Sequence, residues 1–101
     1  MNAKQLQQMA AQMQKQMAKI QEELGNTSIE GSAGSYVTVT MNGHREVKAI
    51  RIAPEVIDPE DVETLQDLIL TAINDASAKA AQLAEQRMGP LTGGMKLPGM
   101  M

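Results

Sequence analysis

Lys4, Lys15 and Lys19 are the only charged side chains in the first 21 positions. On a helix turning about 100° per residue they fall at roughly 40°, 60° and 100° of the wheel, on one side of it. Lysines on one arc with no competing acid form a surface for gripping an anion. Lysine meets nucleic-acid phosphates as a point charge and leaves base sequence unread. Gln8 and Gln12, with Gln5, could add hydrogen bonds to phosphates or base edges. Arg45, Lys48 and Arg51 further along could extend the basic surface. These residues are the candidates for contact with an anionic partner.

Other chemistry lacks its parts. Cysteine is absent and His44 is the single histidine, so neither a disulfide framework nor a metal-ligand cluster is expected. Met9, Met13 and Met17 stand at helical spacing and read as core or seam. Asp67 and Asp75 have no nucleophile or second histidine to work with. No catalytic residue, cofactor, metal or small-molecule substrate is expected. Asn74 and Asp75 could satisfy backbone or capping groups at a dimer.

The lysines need a helix to align them. Leu6, Ala10, Met13, Met17, Ile20 and Leu24 are spaced four, three, four, three, four, an unbroken heptad seam. It centres near 235° on the same wheel, opposite the lysines. A helix over 2–24 is predicted, stopped at Gly25-Asn26. Strands are expected within 27–53. Tyr36 to Met41 alternates, with Val37, Val39 and Met41 on one face, and Asn42-Gly43 signals a hairpin turn. The return strand ends at Pro54 and alternates poorly. A two-residue turn aligns Ile50 and Ile52 with the valines and misplaces Val47; a three-residue turn does the reverse. Either a bulge near Lys48-Ala49 intervenes, or both faces are partly covered. Asp58 as N-cap and Pro59 at the first position start a second helix over 59–88, which Gly89-Pro90 ends. Its apolar stripe includes Val62, Leu65, Ile69, Ala72, Ile73, Ala76, Ala80 and Leu83. One domain over 1–90 and a flexible tail over 91–101 result.

The chain has 101 residues, no Trp or Phe, one Tyr and nine Met, so its core must be aliphatic and adaptable. The net charge is −3, but it is unevenly spread. The first helix is basic, whereas residues 54–75 carry Glu55, Asp58, Glu60, Asp61, Glu63, Asp67 and Asp75 and no base. No apolar run approaches the roughly 20 residues of a membrane span, and a cytoplasmic protein is expected.

Helices of about 35 and 45 Å cannot hide in a globule with a radius of gyration near 13 Å. The leftover apolar faces call for a second chain. Leu6, Met13, Met17, Ile20 and Leu24, with Ile69, Ile73 and Ala76, are the predicted dimer seam. The fold class is α+β: a long N-terminal helix, a small antiparallel sheet with an Asn-Gly hairpin and a long second helix, as an intertwined homodimer.

The first helix closing in Ile20-Gln21-Glu22-Glu23-Leu24 resembles the YbaB/EbfC nucleoid-associated protein family. So do Gly34 to Val39, Asn42-Gly43, Val47 to Ile50, Ile52 and Pro54. Leu65, Asp67-Leu68, Asn74-Asp75-Ala76, Thr92 to Met95 and Pro98-Gly99 continue the likeness over nearly the whole chain. The order and spacing of these pieces carry it, since each alone is a turn, a cap or a seam. The resemblance implies a bacterial, cytoplasmic, nucleoid-associated homodimer. Its helical arms would clasp duplex DNA, with a role in nucleoid organisation or transcriptional regulation. The chain departs from the pattern in being short of Arg in its first helix and acidic overall. A prefoldin-like holdase or protein-binding adaptor is the rival reading, because Met-rich seams suit varied apolar partners.

Overall fold

The computed structural model describes residues 2–93. The chain runs α1 (Ala3–Gly25), β1 (Ile29–Ala33), β2 (Val37–Met41), β3 (Val47–Ile52), a 3-10 turn at Pro54–Val56 and α2 (Val62–Gly93). The sheet is antiparallel in the order β1-β2-β3. The α+β architecture read from the sequence is therefore the one the chain adopts.

Each element has a local cause. Asn2 caps α1 by accepting the Gln5 N–H at 2.8 Å, and the Gln5 side chain accepts the Asn2 N–H in return. β1 and β2 are joined by a tight turn in which the Tyr36 N–H donates to the Ala33 carbonyl. Gly34 has a positive φ there, +55°, a conformation glycine adopts without steric cost. Along β2, Val37, Val39 and Met41 are buried, as the alternation predicts.

β3 follows neither simple register. The loop is three residues, Gly43 to Arg45, closed by the Asn42 N–H donating to the Glu46 carbonyl. Met41 then pairs with Val47, but Thr40 pairs with Ala49, so Lys48 is an extra, bulged residue. The bulge restores Ile50 opposite Val39 and Ile52 opposite Val37. Val47, Ile50 and Ile52 thus all share the valine side of the sheet.

α2 covers that side, chiefly over β1 and β2. It does so with alanines: Ala72, Ala76 and Ala80 are fully buried. Ala72 and Ala76 lie on Gly31, where a Cβ would come within 2.5 Å of the Ala72 carbonyl oxygen. Leu65, Leu68, Ile69, Ile73 and Leu83 pack around this contact, partly buried. The alanine-rich half of α2 admits its own sheet's backbone.

Both ends of α2 depart from expectation. Its start lies at Val62, three residues later than predicted. Asp61 takes the capping role: its carboxylate accepts the Thr64 N–H at 3.3 Å and the Thr64 hydroxyl at 2.7 Å. Asp58 instead closes the preceding turn, accepting the Glu60 N–H on its side chain and the Asp61 N–H on its carbonyl. The helix also runs through Gly89-Pro90 to Gly93. Proline keeps a helical φ and removes one backbone donor. Residues 91–93, expected in the tail, are therefore helical, and 94–101 lie outside the described residues.

The β1 edge is partly covered by α2 of the same chain. The Ser32 N–H donates to Asp75 Oδ2 at 3.0 Å, and Lys79 Nζ donates to the Glu30 carbonyl at 3.2 Å. The two α2 side chains pair with each other at 3.1 Å. Asp75 thus serves the backbone of its own sheet. The Ser32 N–H, then Lys79, hold its carboxyl below the ordinary aspartate pKa. An edge strand's free N–H and C=O groups invite pairing with other chains, and this ion pair occupies one of each.

Candidate nucleic-acid interface

α1 stands clear of the rest of the chain over most of its length. Residues 2–19 are all exposed, Ile20 is half-buried, and Leu24 alone on this helix is buried. The molecule is accordingly long, 69 × 30 × 16 Å, with a radius of gyration of 19.6 Å.

Lys4, Lys15 and Lys19 are exposed, as are Gln8 and Gln12. Among the described residues no ion pair holds any of the three lysines. Their surroundings differ. Lys4 and Lys15 lie on the acid-free length of the helix. Lys19 borders an open concavity with Glu22, Glu23, Asn26, Thr27 and Arg87, where the acids offset part of its field.

The hairpin bases are not one basic patch. Lys48 sits 3.8 Å from Glu46, and Arg51 sits 3.6 Å from Glu30 across the sheet. Both pairs are exposed and contribute little to stability, but each cancels a charge locally. The Asn42 amide donates to Glu46 at 2.7 Å and, with Lys48 beside it, keeps that carboxyl below its ordinary pKa. Among the described residues Arg45 has no such pair; it stands at the loop tip with a φ of 66°. The α1 lysines and Arg45 are thus the basic candidates outside an ion pair among the described residues.

The predicted dimer seam divides too. Leu24 is 3% exposed and Ala76 0%, so both are buried within the chain itself. Leu24 is covered by the hairpin loop, and Ala76 by Gly31. Ile69 and Ile73 pack on the core and are only partly available. Leu6, Met13 and Met17 stay exposed, joined by Met9. Sequence reasoning missed a second apolar surface, Val47 and Ile50 on β3, because it could not fix the register that puts them there. It also gave no role to Arg87, which donates to Glu23 at 3.3 Å and ties α2 to the base of α1. A contact 64 positions apart leaves no local signal.

No described helix is long and apolar enough to cross a membrane. Among the described residues no group of His, Asp and Glu could hold a metal ion.

The comparisons with known proteins agree with one another. A nucleoid-associated protein of Roseiflexus sp. is 75% identical over 98% of this chain and 99% of its own length. One from Chloroflexus aurantiacus is 68% identical over 95% and 97%, respectively. One from Bacillus thuringiensis is 51% identical over 85% and 80%. An uncharacterized protein from Helicobacter pylori, known from its crystal structure, superposes with a TM-score of 0.72. It is 25% identical, and the match covers 94% of this chain and 97% of that one. The family model of the YbaB/EbfC DNA-binding proteins matches residues 1–95, and the chain belongs to that family.

Proposed function

We propose that the chain is a homodimeric nucleoid-associated protein that holds duplex DNA through phosphate contacts from the lysine face of α1. The carrying observation is the condition of α1. Over residues 2–19 it is solvent-exposed on all sides, apolar along one face and charged with a single sign, by three lysines, on the other. An apolar helix face and an apolar edge strand left open in one protomer suit a second copy of the chain. Val47 and Ile50 on β3, with Leu6, Met9, Met13 and Met17 on α1, are the surfaces offered to it. The lysines then point away from the partner.

Such a dimer grips by charge and shape. Lysines on two arms neutralise phosphates and release counterions, which favours DNA of any sequence. The homologues' description as nucleoid-associated fits a protein that organises DNA without reading a fixed site. The location that follows is the bacterial nucleoid, within the cytoplasm.

The test is a titration of random-sequence duplex at several salt concentrations, with the mass in solution measured alongside. The α1 lysines of two chains number at most about six, so log affinity against log salt should have a slope no steeper than about −5. A monomer at micromolar concentration would overturn the dimer. Absence of binding at low salt, together with suppression of aggregation of an unfolded client, would replace DNA binding with the holdase reading.

A further inference from the structure

α1 meets the body of the protomer at the tip of the β2–β3 hairpin. A helix leaves its last four carbonyls without intrahelical partners; the hairpin donates to two of these, Leu24 and Gly25, and places a further group on the Gln21 carbonyl just before them. The Gly43 N–H donates to the Leu24 carbonyl at 2.7 Å. The Asn42 side-chain amide donates to the Gly25 carbonyl at 3.3 Å. His44 Nε2 lies 2.8 Å from the Gln21 carbonyl, an acceptor, so this nitrogen carries the proton and donates.

The joint is also tightly packed. A Cβ on Gly43 would fall 2.8 Å from the Leu24 Cβ, and one on Gly25 would fall 3.1 Å from the His44 ring. Asn42 is itself fixed: its Oδ1 accepts the His44 and Glu46 N–H groups at 2.9 and 3.0 Å, and it is 5% exposed. Leu24 is the one buried side chain of α1, and the Glu23–Arg87 pair to α2 is half exposed.

We infer that this hairpin tip sets the angle of the α1 arm, with Asn42 and His44 as positioning residues for the lysine face. The inference rests on the DNA-binding reading for its consequence, but the joint itself does not. Neither residue needs to touch DNA. Asn42 orders the loop and His44 fastens its tip one turn back along the helix. An arm held at one angle loses less freedom when it closes on a duplex than an arm that swings.

The experiment uses the absence of native cysteine. Spin labels are placed at Gln7→Cys and Ser35→Cys of one chain, which is diluted into unlabelled protein. The parent should give one narrow distance distribution. His44→Leu, which removes the donor, should broaden it, whereas His44→Gln, which keeps a donor, should stay close to the parent. Duplex affinity should weaken about three- to tenfold in the leucine variant and recover in the glutamine variant. Asn42→Ala should broaden the distribution further; its melting curve separates a loosened joint from lost folding. Unchanged distances and affinity in a folded His44→Leu protein would overturn the joint. If the parent fails to bind DNA, the DNA-binding reading falls, while the distances still decide the joint.

Discussion

Gly31 and Ala76 meet backbone to backbone: a Cβ built on Gly31 would lie 2.2 Å from the Ala76 nitrogen and 2.6 Å from its Cα. No rotamer relieves a clash with main chain. Gly31→Ala must lift α2 from β1 or bend the strand. It should destabilise the protein by about 2–3 kcal/mol, the upper part of the range for overpacking. Chemical denaturation would measure this. A variant within about 0.5 kcal/mol of wild type would mean that α2 sits farther from the sheet than described.

The clamp on the β1 edge makes stability sensitive to acid. Asp75 has a folded pKa below its unfolded one, chiefly because it accepts the Ser32 N–H. Its contribution is complete above the ordinary aspartate range and disappears as pH falls through the lower folded value. Asp75→Asn should flatten the acid limb of the stability curve and speed hydrogen exchange at the Ser32 amide. An acid limb identical to wild type would show that the clamp carries no proton linkage.

Arg45 separates stability from binding. It holds a left-handed φ of 66°, a conformation that costs a side chain roughly 1–2 kcal/mol and glycine much less. Arg45→Gly should leave the protein as stable or up to about 1 kcal/mol more stable. If Arg45 also meets phosphate, duplex affinity should fall in this more stable protein. Affinity equal to wild type would remove Arg45 from the interface and leave the lysines of α1.

How far the sequence reveals these features depends on the range of each interaction. Val37, Val39 and Met41 are readable because strand alternation is local. The capping of α2 is readable in kind but not in place. Asp58 and Asp61 both carry the signature, and only Asp61 has Thr64 three residues on to bond back. β3 is legible only as alternatives: a bulge near Lys48-Ala49 is one of the two offered, and it is present at Lys48, but together with a three-residue loop, each hiding the parity that the other would reveal. The Asp75–Ser32 clamp, the Arg87–Glu23 pair and the His44–Gln21 contact span 43, 64 and 23 positions, and no periodicity reports them. The α1 lysines are legible as a face, but the acids beside Lys19 come into view only with the fold.

The dimer reading makes opposite forecasts for two residues that are paired across β2 and β3. Val39 is 0% exposed and Ile50 is 44% exposed, although they share one side of the sheet. Val39→Asp should unfold the chain, since a buried, unpaired charge is costly. Ile50→Asp should leave helical circular dichroism in place and lower the mass seen by light scattering to that of one chain. Dimers in a folded Ile50→Asp protein would exclude β3 from the interface and leave the α1 seam, to be tested by Met13→Asp with Met17→Asp.

Replacing Lys4, Lys15 and Lys19 together by alanine tests the DNA-contact face directly. All three are exposed and outside the ion pairs of the described residues, so stability should stay within about 0.5 kcal/mol of wild type. A face that reads no bases should, once removed, weaken every duplex alike. Each phosphate that is no longer neutralised should make the salt slope shallower by about 0.9. Single variants should rank, with Lys4→Ala and Lys15→Ala costing more than Lys19→Ala, because Glu22 and Glu23 already offset part of the Lys19 field. Equal effects from all three would show that those acids play no part. A triple variant that binds random duplex as tightly as wild type, with an unchanged salt slope, would reduce the lysine face to ordinary solvated surface.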